Sequence, residues 1–358
     1  MLKQAPFGPG TERFPTAPLA AAALLLPSLV SAAPPMAFTV GYGTKGYPVV
    51  QLLWALIIIS IVVIAIVTLL TLMGVVRRIR EQRSSSNRLL RSSVISDVPL
   101  ERSGRGLSWV YIGSAISAAL LLGSVIWTFV TLDAVSIRPQ DPPANIDVIA
   151  HQWWWEVRYE GSTPSQGFTT ANEIHIPTGV RVYFRLTSPD VIHSFWVPQL
   201  AGKTDVIPGL ENITWLEADR PGVYRGQCGE YCGLQHGHMA LDVVAQTPAQ
   251  FEAWKARQLA PATPPDSPLA TQGETDFMIH CAVCHTVRGT TAGGRLGPDL
   301  THLMSRLSIA ADTLPNTPAY LSGWIADPQH IKPGNYMPAI ELSGTQLRDI
   351  REYLESLE

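Results

Sequence analysis

The sequence predicts a multidomain membrane protein: a two-helix transmembrane hairpin, a small all-β unit and a terminal all-α unit. Three observations predict it. Two stretches of bilayer length, residues 46–76 and 106–132, contain no charged side chain. From Ile146 the pattern turns to short alternating segments separated by proline and glycine turns. Past a proline-rich stretch, apolar residues recur every three to four positions to the end of the sequence. Composition agrees. Of 358 residues, 46% are hydrophobic and only 15% charged, against roughly 25% charged in ordinary soluble proteins, and the mean hydropathy is +0.13. The charge is unevenly spread. Residues 1–132 carry 11 Lys/Arg against 4 Asp/Glu, residues 133–272 carry 9 against 15, and residues 273–358 carry 6 against 10. A basic front and an acidic back exclude a uniform soluble enzyme. Outside one loop nothing is basic enough for nucleic acid. Four cysteines are too few for a disulfide scaffold, and their two close pairs, Cys228/Cys232 and Cys281/Cys284, point to chemistry.

Residues 1–32 have the layout of a secretory signal peptide. Lys3 and Arg13 precede the apolar run 17–30, and Ser31-Ala32-Ala33 offers cleavage after Ala32. That run is broken by Pro18 and Pro27 and is too short to cross about 30 Å of hydrocarbon. Two later spans, about 49–76 and 106–132, are long enough, and buried helices of a soluble core would hardly omit every charge over such lengths. Between them Arg77, Arg78, Arg80, Arg83, Arg88, Arg91, Arg102 and Arg105 face only Glu81, Asp97 and Glu101. The positive-inside rule places this loop in the cytoplasm, and everything after the second span on the far, oxidising side.

The β unit, residues 133–257, contains the alternating segments IDVIA, VRVYFRLT, VIHSFWV, NITWLEA, GVYRGQ and MALDVVA, a sandwich or barrel pattern. A short amphipathic helix at 248–258 closes it. Residues 258–272, with four prolines, read as a semi-rigid linker. The unit 273–358 is helical. Its last helix has Ser343 and Gln346 at capping-box spacing and an apolar face of Leu347, Ile350, Leu354 and Leu357.

The first chemical cluster is CGEYCGLQHGHM, which places Cys228, Cys232, His236 and Met239 within twelve residues. Thiolate, imidazole and thioether together favour copper over hard cations. A mononuclear blue-copper site needs one cysteine, so two oversupply it. Two thiolates bridging a pair of copper ions use every ligand, provided a second histidine joins, and His193 in DVIHSFWVP is the candidate. All ligands then come from protein, which suits electron transfer and leaves no position for substrate. A Cys228–Cys232 disulfide would leave His236 and Met239 unexplained, and a Cys2His2 zinc site has no use for Met239.

On these residues the stretch 49–257 resembles the CuA subunit (subunit II) of cytochrome c oxidase, including an aromatic run His151-Gln152-Trp153-Trp154-Trp155. The resemblance implies a cupredoxin-like domain whose copper ligands are His193, Cys228, Cys232, His236, Met239 and the backbone carbonyl of Glu230. It also implies that the Glu230 side chain reaches a Mg or Mn ion shared with subunit I, and that Trp153 lies on the route by which electrons arrive. A core aromatic is the plainer reading of Trp153. Nitrous oxide reductase has a similar motif but usually carries Trp where Glu230 stands. Two positions depart from the family. Its glutamate near the start of the second helix has no counterpart in Arg105-Gly106-Leu107-Ser108-Trp109, where Glu101 is the nearest substitute, and its Pro-Gly-Arg is here Pro208-Gly209-Leu210.

The second cluster, Cys281-Ala282-Val283-Cys284-His285, is the c-type haem attachment pattern: two thiols add to the haem vinyls and the histidine ligates iron. A thioredoxin-like pair would need a βαβ setting, which the sequence does not offer. For the sixth ligand Met304, Met337 and Met278 are candidates. Met337, in the irregular KPGNYMPAI, is the choice, because Met304 lies in a helical stretch and reads as core. Residues 270–358 resemble class I cytochrome c, including Gly297-Pro298, whose prolyl carbonyl in that family bonds the axial histidine.

The whole chain resembles subunit II of a caa-type oxidase. The resemblance implies a bacterial inner-membrane protein with both metal units on the periplasmic side. It implies partnership with the oxygen-reducing subunit I and subunit III, and a donor cytochrome c. The alternatives are the copper subunit of a CuA-type nitric oxide reductase, or a membrane-tethered carrier outside any oxidase. A tether needs only one helix.

Overall fold

The computed structural model describes residues 36–86, 105–136 and 145–358. The expected signal peptide, residues 87–104 with Glu101, and residues 137–144 lie outside the described residues. Two long helices, α1 (Gly46–Ser86) and α2 (Arg105–Val135), contact each other. Their apolar windows have mean hydropathies of 3.1 and 2.0, and only 0% and 6% of those windows is buried. Helices so apolar and so bare are not core helices of a soluble domain; they form the hairpin that anchors the chain in the membrane. Both exceed the charge-free spans. Arg77, Arg78 and Arg80 stand on α1 rather than in a loop, because Arg, Glu and Gln propagate a helix well and Arg77 pairs with Glu81 one turn on, at 2.9 Å.

The β unit is a sandwich. One sheet has the order β3-β2-β1-β5-β8 and the other β4-β10-β9-β6-β7. The first comprises β1 (Ile146–His151), β2 (Trp154–Tyr159), β3 (Phe168–Ala171), β5 (Val182–Thr187) and β8 (Asn212–Leu216). The second comprises β4 (Glu173–Pro177), β6 (His193–Trp196), β7 (Thr204–Val206), β9 (Gly222–Cys228) and β10 (Ala240–Gln246). Pairing is antiparallel except for β1 with β5 and β4 with β10. Alternate residues of β1 point inward, and Trp155, Phe184, Leu186, Ile174 and Leu241 fill one core between the sheets. Helix α3 (Pro248–Leu259) starts on a capping box of Thr247 and Gln250 and stacks Trp254 on His175, 3.9 Å between ring centroids.

Strand β10 carries one unfavourable group. Asp242 is 8% exposed. Burial, with the neighbouring Glu173 carboxylate, pushes its pKa up to about 6 from 3.8, against the pull of Arg225. A raised carboxyl favours the fold in its protonated form, so its contribution is present below about pH 4 and lost as pH rises through about 6. Asp242→Asn is therefore expected to leave stability unchanged near pH 4 and to raise it by about 2–3 kcal/mol at pH 8. Denaturant unfolding of the β unit followed by tryptophan fluorescence at the two pH values measures this. An equal gain at both would show that the carboxylate charge is not the cause.

The third unit packs α4 (Pro268–His280) across α7 (Gly344–Glu355). The crossing is close enough that a Cβ on Gly273 would lie 1.8 Å from the Asp349 carbonyl oxygen, so only glycine fits there. Phe277 meets Tyr353 at 5.4 Å. Helix α7 opens on the Ser343–Gln346 capping box, and Ile350, Leu354 and Leu357 are buried. A two-residue pair, β11 (Ser308–Ile309) with β12 (Leu314–Pro315), and short helices α5 (Pro318–Ala326) and α6 (Pro328–Ile331) complete it. Between α3 and α4 the non-helical stretch is residues 260–267. Pro268 begins α4 early because it sits at the first helical turn behind the N-cap Ser267.

Candidate metal centres

The end of β9 and the start of β6 bring the first cluster together. The strands are antiparallel neighbours with Phe195 opposite Cys228, which sets His193 beside Cys228 across the ladder. Cys232, the turn at His236–His238 and Met239 then loop back over the same end of the sandwich. Cys228 Sγ lies 3.9 Å from His193 Nδ1 and 3.8 Å from Cys232 Sγ. Cys232 Sγ lies 3.6 Å from His236 Nδ1 and 3.8 Å from Met239 Sδ. The Glu230 carbonyl oxygen lies 3.2 Å from Cys228 Sγ. A sulfur separation of 3.8 Å is far beyond the roughly 2.04 Å of a disulfide, and both cysteines are free. It is the spacing of ligands that share a metal, since bonds of about 2.0–2.3 Å place neighbouring donors 3–4 Å apart. Among the described residues, His193, Cys228 and Cys232 form the one group of three His, Cys or carboxylate side chains whose ligand atoms all lie within 4.8 Å of one another.

The electrostatics suit a cation pair. Hydrogen bonding with Cys232 and with His193 holds the Cys228 thiol well below its usual range, against the cost of burial. The Cys228 thiolate in turn pushes Cys232 up, as does its own burial. Two sulfurs this close favour only one negative charge between them, and a soft cation bound there would offset a second. One imidazole stands at each sulfur, His193 at Cys228 and His236 at Cys232.

A carboxylate that sequence inspection passes over orients the site. Asp190 Oδ1 lies 2.8 Å from His193 Nε2, which leaves Nδ1 facing the sulfur. Burial disfavours the His193 imidazolium, but Asp190 and Cys228 outweigh it and raise its pKa. Asp190 itself is held at about 2, against the effect of burial, by His193 and by the backbone N–H groups of Val191 and Gln152. Its one sequence signal is a carboxylate three residues before a candidate ligand. Trp153 is 7% exposed, and its indole N–H donates to the Cys232 carbonyl at 2.9 Å; the Gln152 amide donates to the same oxygen at 2.7 Å. Glu230 directs its side chain outward, 3.7 Å from Lys203 Nζ, and is 45% exposed.

The second cluster follows α4. Cys281 caps that helix, and the N–H groups of Cys284 and His285 both donate to its carbonyl at 3.0 Å, which folds the pentapeptide into a tight turn. His285 Nδ1 lies 2.8 Å from the Pro298 carbonyl, which fixes its proton there and leaves Nε2 as the free base. Burial lowers the His285 pKa, so the ring stays neutral and able to ligate. A Cβ on Gly297 would fall 2.7 Å from His285 Cε1, so glycine is needed for this approach. Both thiols are free, and Val283 and Leu296, 73% and 78% exposed, present apolar surface beside them. Two thiols, a neutral imidazole and uncovered apolar side chains fit a flat apolar macrocycle attached covalently. Of the methionines, Met304 packs on the unit's core with its N–H bonded to Leu357, and Met278 packs on the same core. Met337 stands apart from that core on the loop after α6, half-buried, with its carbonyl held by Gln329 at 2.7 Å.

A family model for the periplasmic domain of cytochrome c oxidase subunit II matches residues 164–246, and one for cytochrome c matches residues 270–358. Cytochrome c oxidase subunit 2 of Alkalihalophilus pseudofirmus is 37% identical over 258 residues, 70% of this chain and 72% of that one. The Bacillus subtilis protein of the same description is 30% identical over 267 residues, 70% and 74% of the two chains. Among solved structures, the periplasmic domain of cytochrome oxidase subunit II of Bradyrhizobium japonicum is 28% identical with a TM-score of 0.30, covering 33% of this chain and 95% of that one. The copper-type donor set and the haem attachment turn thus lie within the two matched segments, and the chain belongs to the cytochrome c oxidase subunit II family, in a form that carries a cytochrome c unit at its C-terminal end.

Proposed function

We propose that the chain receives electrons from a donor cytochrome at a covalent haem c, passes them to a dinuclear CuA centre and delivers them to the oxygen-reducing subunit I of a haem-copper oxidase. The observation that carries this is the row His193–Cys228–Cys232–His236, with neighbouring donor atoms 3.6–3.9 Å apart and Met239 beside it. Soft donors in such a row suit one-electron transfer between two coppers, and leave no open position for catalysis. Cys281 and Cys284 would attach the haem, with His285 and Met337 as axial ligands. When bound, the two groups supply one-electron carriers; the chain supplies their positions. The Glu230 carbonyl would join the copper ligands, and its outward side chain would reach a Mg or Mn ion at the junction with subunit I. The membrane is the bacterial inner membrane, with both metal units on the periplasmic side and subunit III as a further partner.

The test is purification from native membranes with metal analysis, haem typing and oxygen uptake. Two copper ions and one haem c per chain are expected, together with a polytopic haem-bearing subunit that consumes oxygen. One copper, or zinc, would overturn the dinuclear centre. Turnover of nitric oxide instead of oxygen would favour the reductase, and absence of a polytopic partner would favour a free carrier.

A further inference from the structure

The loop that carries Met337 lies on the copper unit. Lys332, from the haem unit, is 3% exposed. Its Nζ donates to the carbonyls of Trp153 at 3.1 Å and His238 at 2.9 Å in the copper unit, and to Ala310 at 3.1 Å in its own. The Gln235 amide donates to the Pro333 carbonyl at 2.7 Å. Beyond this clamp the Tyr336 ring stacks on Trp153, 5.7 Å between centroids and 25° between planes. Its hydroxyl donates to Gln152 Oε1 at 2.9 Å.

Both arms of that contact converge on one atom. Trp153 and Gln152 each donate to the Cys232 carbonyl, so Tyr336 reaches a copper ligand by a ring path and by an amide path. On its other side Tyr336 is bonded through the peptide to Met337, the residue assigned to the haem iron. Tyr336 is 73% exposed, so burial does not explain its seat. A buried lysine with only carbonyl partners is costly to place, yet here it fixes the register of the loop against Trp153.

We propose that Tyr336 couples the two redox centres, carrying the electron from the Met337 side to Cys232 by way of Trp153, with Lys332 as the positioning residue that locks the loop in register. The transfer is a single-electron step. With both groups bound, the haem held by Cys281, Cys284, His285 and Met337 would give up one electron and the copper pair held at Cys228 and Cys232 would take it; no bond would change, no proton would move and neither ring would be oxidised. The proposal rests on the haem and copper assignments above, so cofactor content and the Met–His haem spectrum are measured first on each variant. A failure there counts against those assignments and not against the route.

The experiment uses the full loaded chain. The haem is photoreduced by a flash, and copper reduction is followed for Tyr336→Leu, Tyr336→Phe and Lys332→Met. In parallel, hydrogen exchange of the amides at 332 and 334–337 reports docking of the loop independently of electron transfer. Misplacing a reacting group by about an ångström can cost on the order of a hundredfold, so Tyr336→Leu is expected to slow the transfer by at least about tenfold with loop protection retained. Tyr336→Phe, which keeps the ring, should restore most of that loss. Lys332→Met, which removes charge-assisted hydrogen bonds, should lower loop protection by roughly tenfold or more and slow transfer with it. Undiminished transfer in Tyr336→Leu overturns the route. So does a rate that tracks loop protection alone across all three variants, because Tyr336 would then only dock.

Discussion

Replacing Met337 with alanine is expected to lower the haem reduction potential by roughly 0.1–0.3 V, a fraction of the about 0.8 V that axial ligands span. The same change should open the iron to CO. The thioether of a Met/His pair favours the ferrous state and closes the sixth position, so its removal does both things at once. Met304→Ala should do neither. Met304 is tied into the core beneath α7, and its loss should cost only stability, on the order of 1–2 kcal/mol for a half-buried side chain. A redox titration and a CO difference spectrum on both variants separate the two outcomes. Reversed results would move the axial ligand into the core helix turn.

What could be seen beforehand follows from sequence distance. Cys228, Cys232, His236 and Met239 lie within twelve residues, so their shared chemistry is visible as a spacing, and Cys281, Cys284 and His285 more so. His193 could be named because the donor inventory lacked one imidazole and the alternation around it marked a strand. Lys332 and Tyr336 could not. Lys332 meets Trp153 across 179 residues and Tyr336 meets Gln152 across 184, and no local pattern records such pairings. Strand β4 was hidden differently. Its Glu173 and His175 are buried against each other at 2.8 Å, with Trp254 over the imidazole, so a polar pair occupies a core strand. Strand β7, three residues long, falls below what alternation can register.

Transfer from haem to copper within the chain is expected to be nearly independent of ionic strength, while reduction of the haem by an external basic cytochrome falls by roughly tenfold to a thousandfold between low and high salt. Net charge cannot draw the two units together, since residues 133–272 and 273–358 both carry an excess of acidic groups. What joins them is short-ranged. Lys332 is sealed from solvent among three carbonyls, Tyr336 stacks on Trp153, the Leu307 N–H donates to Glu173 at 2.7 Å, and Arg225 pairs with the mostly buried Asp312. Salt screens exposed charges beyond about 10 Å at 0.1 M and reaches buried contacts far less, so the internal rate should hold within about twofold across the same series. The chain between α3 and α4 also keeps the units at an effective concentration on the order of millimolar whenever the contact opens. The acidic exterior has the opposite consequence for a separate donor, whose approach relies on long-range attraction that salt removes. Flash reduction of the haem across a salt series, repeated at several protein concentrations, measures both steps. An internal rate that falls in parallel with the donor step, or that rises with protein concentration, would mean that the electron crosses between molecules and that the docked arrangement is not the one that transfers it.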